Sequence, residues 1–208
     1  MTQIQQLKLY GSPLSGHCHR VELLLRMLGL PYEFIALTPE QRASEAFLKL
    51  NPLRQIPVLE DGDAVVADSV AIMVYLLKKY APGSSWFPDD AITASQIQRW
   101  LSIAAGELAS GPNSARLMAV FGRPGHPDTI GQTSKRLLEF MDAHLKGRTW
   151  LVGDAPTIAD LACYAYVAHA PEGGIDLAPY PSIRAWLKNV EALPHFKPMP
   201  ASKPKVAA

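Results

Sequence analysis

The chain has 208 residues, 48% of them hydrophobic, which supports one large or two modest domains with a buried core. Its net charge of +1 offers no whole-chain attraction to nucleic acid or to an anionic membrane. No apolar run approaches the roughly 18 residues of a membrane span and no signal peptide opens the chain, so a cytoplasmic protein is expected.

Residues 7–10, Leu-Lys-Leu-Tyr, alternate with period two and predict a strand. Residues 11–16 form a Gly-, Ser- and Pro-containing turn cluster. From about His17, Val21, Leu24, Leu25 and Leu28 follow helical spacing, and Gly29-Leu30-Pro31 ends that helix. Residues 32–37 read as a second strand and residues 41–50 as a helical stretch. Pro57 then stands at the mouth of a third strand, because a proline cannot donate a ladder hydrogen bond and so takes the first position of a strand or an edge. Asp61-Gly62 closes a hairpin, residues 64–67 form its second strand, and Asp68-Ser69 caps an apolar helix over residues 70–80. This order predicts a small α/β domain over residues 1–80.

Residues 81–92 are rich in helix breakers and read as a linker. The remainder, 93–208, is expected to be all-helical. Ile97, Trp100, Leu101, Ala104 and Leu108 share helical spacing, as do Ile130, Leu137, Leu138, Met141 and Leu145, and Ile183, Trp186, Leu187 and Val190. Within it, Thr157 and Asp160 stand at capping-box spacing, with Pro156 and Leu161 at the two staple positions. The proline- and lysine-rich tail, 197–205, is expected to be extended or mobile.

Several residues carry possible chemistry. Ser15 lies at the start of the first helix, where the backbone field favours an anion such as a thiolate and a serine hydroxyl can donate one more hydrogen bond. It could equally be a simple cap. A cis Pro57 would turn the N–H and C=O of Ile56 out of the sheet, toward an extended peptide ligand. Asp68 suits an ammonium and the adjoining helix N-terminus suits a carboxylate, so Asp68-Ser69 can read an α-amino acid head group, or can be an ordinary capped helix. His17 and His19 are two apart, which does not bring two metal ligands to one helix face. His17 either lines the mouth of a pocket or faces solvent, and Arg20 reads as structural, holding the helix end. The two cysteines, Cys18 and Cys163, show no CxxC spacing, and both read as buried thiols.

Leu9-Tyr10-Gly11-Ser12-Pro13-Leu14-Ser15 with Arg20-Val21, then Asn51-Pro52 with Gln55-Ile56-Pro57, and Asp68-Ser69 resemble the N-terminal domain of soluble glutathione transferases. The spacing is most similar to the serine-dependent phi, theta and zeta classes. Residues 153–161 closely resemble the capping motif of that family's C-terminal domain, and the whole resemblance runs from about Leu7 to Phe196. It implies an α/β thioredoxin-like domain followed by an all-α domain.

By that resemblance, Ser15 matches the serine that activates the glutathione sulfur. Ile56 pairs with the cysteinyl part before the cis proline Pro57, and Asp68 and Ser69 hold the γ-glutamyl group. Gln55 supplies a further polar contact, and Arg42 is a candidate for the glycine carboxylate. The family more often carries glutamate or glutamine where this chain has Asp68. Glutathione is the implied co-substrate, with no metal. A small hydrophobic electrophile or hydroperoxide is the implied partner, and a homodimer the implied assembly. Leu14, His17, Ser110, Asn113, Met118 and Phe121 are the candidates for the acceptor pocket, named by position. Two alternatives stay open: a non-enzymatic interaction module of the same fold, and a glutathione-dependent thiol reductase using Cys18.

Overall fold

The computed structural model describes residues 6–202, which divide into two compact units. One comprises the chain up to Ser84 together with Pro194–Met199, the other Ser85–Leu193 and the chain from Pro200.

The first unit is built on a four-stranded sheet of order β2-β1-β3-β4, with β1 at Leu7–Gly11, β2 at Tyr32–Ala36, β3 at Val58–Asp61 and β4 at Ala64–Ala67. β1 runs parallel to β2 (Leu9 opposite Phe34) and antiparallel to β3 (Leu9 opposite Leu59). A parallel pair needs a crossover, and α1, Gly16–Met27, supplies it. Leu7 and Leu9 of β1 and Val21, Leu23, Leu24 and Leu25 of α1 are fully buried, each worth about 1.5–3 kcal/mol of transfer free energy. α4, Ser69–Tyr80, packs against α1 and buries Ile72, Met73, Leu76 and Leu77. Gly11, the last residue of β1, lets α1 approach, since a Cβ there would lie 2.6 Å from Cys18 Sγ.

The helical stretch expected over 41–50 consists of two short helices, α2 at Pro39–Arg42 and α3 at Glu45–Leu50. Thr38 and Ser44 each accept a hydrogen bond from a backbone N–H three residues on, so each starts a helix of its own. At the far end of β3, Asp61 is buried and accepts from Tyr75 Oη (2.8 Å), Tyr80 Oη (2.7 Å) and Lys79 Nζ (2.6 Å) of α4.

Pro194–Met199 clusters with the first unit, whereas the sequence placed it with the helical domain. α1 explains this. Its residues His19, Glu22 and Arg26 lie along one face and bind the segment through Lys197 O (2.7 Å), Lys197 Nζ (2.8 Å) and His195 O (3.0 Å) respectively. Phe196 meets the His19 ring edge-on. The tail expected to be extended or mobile is without helix or strand and is anchored through residue 202; residues 203–205 lie outside the described residues.

Among its described residues the second unit holds no strand, as expected. Its helices are α5 (Ala91–Ala105), α6 (Ser114–Phe121), α7 (Pro127–Leu145), α8 (Ile158–Ala168) and α9 (Pro181–Glu191). α5 begins two residues before the anticipated boundary because Asp90 caps it, accepting from Thr93 N–H at 2.8 Å. Between α5 and α6 lies a π-helical turn, Ala109–Asn113, with Pro112 inside it. Trp100 of α5 stacks on Phe140 of α7 with centroids 5.5 Å apart.

α8 is buried on every side from Ile158 to Val167, as befits a central helix. Its capping box is present: Thr157 Oγ1 accepts from Ala159 N–H (3.2 Å) and Asp160 Oδ2 from Thr157 N–H (2.9 Å). Asp160, fully buried, reaches further than the motif requires, accepting from Leu151 N–H (3.0 Å) and Trp186 Nε1–H (2.9 Å). Burial pushes its carboxyl up, and these donors oppose that shift.

A second polar cluster joins α6 to the 3-10 turn after α8. Arg116, buried, donates to Glu172 Oε2 (2.6 Å), while Glu172 Oε1 meets His169 Nδ1 (2.7 Å) and accepts from Ser202 N–H (2.9 Å). Burial alone would raise the Glu172 carboxyl, but Ser202, His169 and Arg116 together outweigh it and hold it below the usual carboxylate range. A depressed folded value stabilises fully above the unfolded value of about 4.3, and the benefit disappears as pH falls through the folded one. Glu172→Gln is therefore expected to lower the urea midpoint at about pH 7, with the gap narrowing as the pH falls below about 4. A gap that stays constant through acid would remove the Glu172 charge from this role.

Candidate functional site

The loop from Gly11 carries the chain off the central strand into α1, and Ser15 is the N-cap of that helix. Its N–H donates to Ser12 O (3.0 Å), and its Oγ accepts from Cys18 N–H at 3.4 Å. The capping bond is long and uses one lone pair, so the hydroxyl proton is available to donate outward. The two roles read from the sequence, cap and donor, are compatible in one geometry. Leu14 shares the loop, half-buried, with its N–H on Ser12 Oγ at 3.4 Å.

Two other residues of the first turn of α1 behave differently. His17 is half-buried, and burial together with the Arg20 guanidinium pushes its imidazole down to about 3 against the opposing pull of Asp68. It is neutral near pH 7 and faces neither open solvent nor a cationic role. Cys18 is 1% exposed, with Ser12 N–H directed at its Sγ from 3.5 Å. Burial pushes the thiol up to about 11 in spite of its contacts with Ser15 and Ser12. A nucleophilic cysteine needs the opposite, an exposed and depressed thiol, so the geometry disfavours the Cys18 reductase reading.

The loop before β3 presents Gln55, exposed, and Ile56, half-buried, followed by the buried Pro57. The Ile56–Pro57 peptide is cis. Asn51, part of the sequence motif, shapes this loop. Its buried side chain donates to Gln55 O (2.9 Å) and accepts from Leu53 N–H (3.1 Å). Such Asn turns are a recognisable local signal. Arg42, at the end of α2, is half-buried.

Asp68 is the N-cap of α4 with φ 76° and ψ 130°, a left-handed backbone. Such a conformation costs a non-glycine residue about 1–3 kcal/mol and tends to occur at ligand sites. Its Oδ1 accepts from both Val70 N–H (2.8 Å) and Ala71 N–H (3.0 Å). Both bonds go to the one oxygen, and Oδ2 suits an ammonium. Ser69, 3% exposed, accepts at Oγ from Arg20 Nη1 at 3.4 Å. Arg20 is thus not confined to its own helix end: 1% exposed, it reaches from α1 to the first residue of α4. The first unit therefore carries Ser15, His17 and Arg20 on one helix and Asp68 and Ser69 at the start of the helix packed against it.

The remaining acceptor candidates belong to the second unit. Ser110 is exposed and returns its Oγ to Gly106 O at 3.0 Å. Asn113 is buried at the end of the π-helical turn. Met118 is half-buried on α6, and Phe121, 39% exposed, lies against the Arg116 guanidinium. Ser110 and Asn113 face opposite environments, so these four do not form one uniform lining. The π-helical turn was not legible from the apolar pattern, because the helical spacing ends at Leu108 and resumes only at Ile130. Among the described residues, no His, Cys, Asp and Glu cluster is placed to hold a metal ion, and no helix is long and apolar enough to cross a membrane.

Comparison with known proteins agrees with this architecture. The family description "Glutathione S-transferase, N-terminal domain" matches residues 9–84, and "Glutathione S-transferase, C-terminal domain" matches residues 129–194. Glutathione S-transferase theta-3 of Mus musculus is 31% identical, covering 89% of this chain and 82% of its own length. Glutathione S-transferase 3 of Zea mays is 34% identical, covering 95% of each. A solved glutathione transferase homolog from Drosophila mojavensis, with bound glutathione, superposes with a TM-score of 0.83 at 32% identity, covering 91% of this chain and 89% of that one. The chain belongs to the glutathione S-transferase family.

Proposed function

We propose that the chain binds glutathione on its first unit, stabilises the thiolate at Ser15, and directs it at a small hydrophobic electrophile or hydroperoxide. The observation that carries this reading is the pairing of two helix N-termini in one unit: α1 with the Ser15 hydroxyl, and α4 with Asp68 and Ser69. A free thiol has a pKa of about 8.5, so only a few per cent is ionised near neutral pH. Each unit by which the site lowers that value is worth about 1.4 kcal/mol of preference for the anion. The Ser15 O–H and the positive end of α1 both act in that direction.

In this reading the γ-glutamyl ammonium meets Asp68 and its carboxylate meets Ser69. The cysteinyl backbone pairs with Ile56 before the cis Pro57, Gln55 adds a polar contact, and Arg42 takes the glycine carboxylate. No protein nucleophile is needed, because the attacking atom is the ligand's sulfur. Leu14 and His17, beside Ser15, are the first-unit candidates for contact with the acceptor.

The test is calorimetric titration with glutathione, followed by turnover with an activated aryl halide. Saturable binding and a thioether product are expected, and a chain that binds no glutathione is an interaction module instead. The buried, raised Cys18 thiol argues that Cys18→Ser leaves turnover unchanged. Loss of activity in that variant would favour thiol–disulfide exchange.

A further inference from the structure

We propose that Arg20 is a positioning residue that makes the Asp68–Ser69 subsite selective for a head group bearing a carboxylate; this rests on the glutathione reading above. Three observations converge on it. Two of the N–H groups in the first turn of α4, those of Val70 and Ala71, are already taken by Asp68 Oδ1. Recognition of an anion there falls on Ser69 and on whatever charge stands behind it. The residue behind it is Arg20, 1% exposed, whose Nη1 donates to Ser69 Oγ.

A hydroxyl that accepts from a guanidinium keeps its own proton for another partner. The relay Arg20 N–H to Ser69 Oγ–H to ligand carboxylate polarises both bonds in the same sense, and burial strengthens each of them. The cation also lies close enough to the His17 ring to oppose its protonation, while Asp68 favours it, so His17, Arg20, Asp68 and Ser69 form one electrostatic cluster. Within that cluster Asp68 supplies the negative charge that an ammonium needs, and Arg20, through Ser69, the positive charge that a carboxylate needs. The subsite is thereby matched to both charges of an α-amino acid head group, with the carboxylate half depending on a residue that does not itself touch the ligand.

The test compares two thiol ligands that differ only in that head group, glutathione and the dipeptide cysteinylglycine, by calorimetric titration of the full chain. The unmodified chain is expected to prefer glutathione. Arg20→Gln is expected to cut glutathione affinity about three- to tenfold, the low end for a charge-assisted hydrogen bond because the bond to Ser69 Oγ is 3.4 Å long. Cysteinylglycine affinity stays within about twofold, because its contacts lie elsewhere. Arg20→Lys restores part of the preference, since it keeps the charge and loses the fork. Arg20→Gln combined with Ser69→Ala is no weaker toward glutathione than the weaker single variant, because the relay is broken only once.

A merely structural Arg20 would weaken both ligands equally or lower only the melting temperature, and that result overturns the proposal. If Arg20→Gln does not fold, Arg20→Lys carries the test: it must reduce the glutathione preference while cysteinylglycine affinity stays within about twofold, and an unchanged preference is the contrary result. An unmodified chain that binds neither ligand sinks the glutathione reading itself, whereas one that prefers glutathione independently of Arg20 and Ser69 sinks only this inference.

Discussion

Ser15→Ala is expected to slow turnover with glutathione and an aryl halide by about 10²–10³-fold, the usual cost of removing one donor aimed at a developing or resident anion. Glutathione affinity should change little, because the head-group contacts at Asp68 and Ser69 and the backbone at Ile56 are untouched. The cap complicates the experiment in a calculable way. Ser15 Oγ accepts from Cys18 N–H, and loss of an N-cap costs about 0.5–2 kcal/mol of stability. The 3.4 Å length of this bond places the cost at the low end. A stability loss of that size leaves the folded population essentially complete, so a large kinetic effect reports the hydroxyl's chemistry and not unfolding. Steady-state kinetics beside a urea melt separates the two. Turnover equal to that of the unmodified chain would remove Ser15 from the role.

Asp160→Ala is expected to produce the largest stability loss, about 3 kcal/mol or more, without any direct effect on the sulfur site. Its carboxylate satisfies Leu151 N–H, Thr157 N–H and Oγ1–H, and Trp186 Nε1–H, all in the buried interior of the second unit. Each buried donor left without a partner costs about 1–3 kcal/mol. Among its described residues this unit has no sheet to share the loss: α8, α9 and the segment before α8 all meet at this one group. Asp160→Asn keeps one acceptor oxygen and should lose less. Urea unfolding monitored by tryptophan fluorescence suits the measurement, since Trp186 reports directly on the site. A loss below about 1 kcal/mol would mean that the donors find other partners.

What the sequence disclosed and what it did not follow from the range of the interactions. Ser15, Asp68, Thr157 and Asp160 were legible because capping is local: the acceptor and the N–H groups it serves lie two or three residues apart. The strand, helix, strand order of the first unit was legible for the same reason, through period and breakers. Arg20 was not. Its partner Ser69 is 49 positions away, and nothing in a helical repeat distinguishes a buried arginine from a solvated one. The reach of Asp160 to Trp186, 26 residues on, was hidden likewise.

The anchoring of the tail shows the limit of composition as a guide. Prolines and lysines near a terminus suggest mobility, yet His19, Glu22 and Arg26 hold Pro194–Met199 by its carbonyls and by Lys197 Nζ. Glu22 sits below the usual carboxylate range: burial pushes it up, and hydrogen bonds from Lys197 and Tyr32 more than reverse that. The π-helical turn at Ala109–Asn113 was not legible because it lies between the apolar repeats, which end at Leu108 and resume at Ile130. The acceptor side is accordingly the least legible part of the chain: Ser110, Asn113, Met118 and Phe121 were chosen by position, and their burial differs widely.

The most direct measurement of the central claim is the ultraviolet absorbance of the glutathione thiolate, titrated with pH in the presence of excess protein. Bound glutathione is expected to ionise at least one unit below the free thiol value of about 8.5, and Ser15→Ala to move the midpoint back toward it. Glutathione bound with an unshifted thiol would rule out thiolate stabilisation at Ser15, because the two helix N-termini would then hold the tripeptide without activating its sulfur.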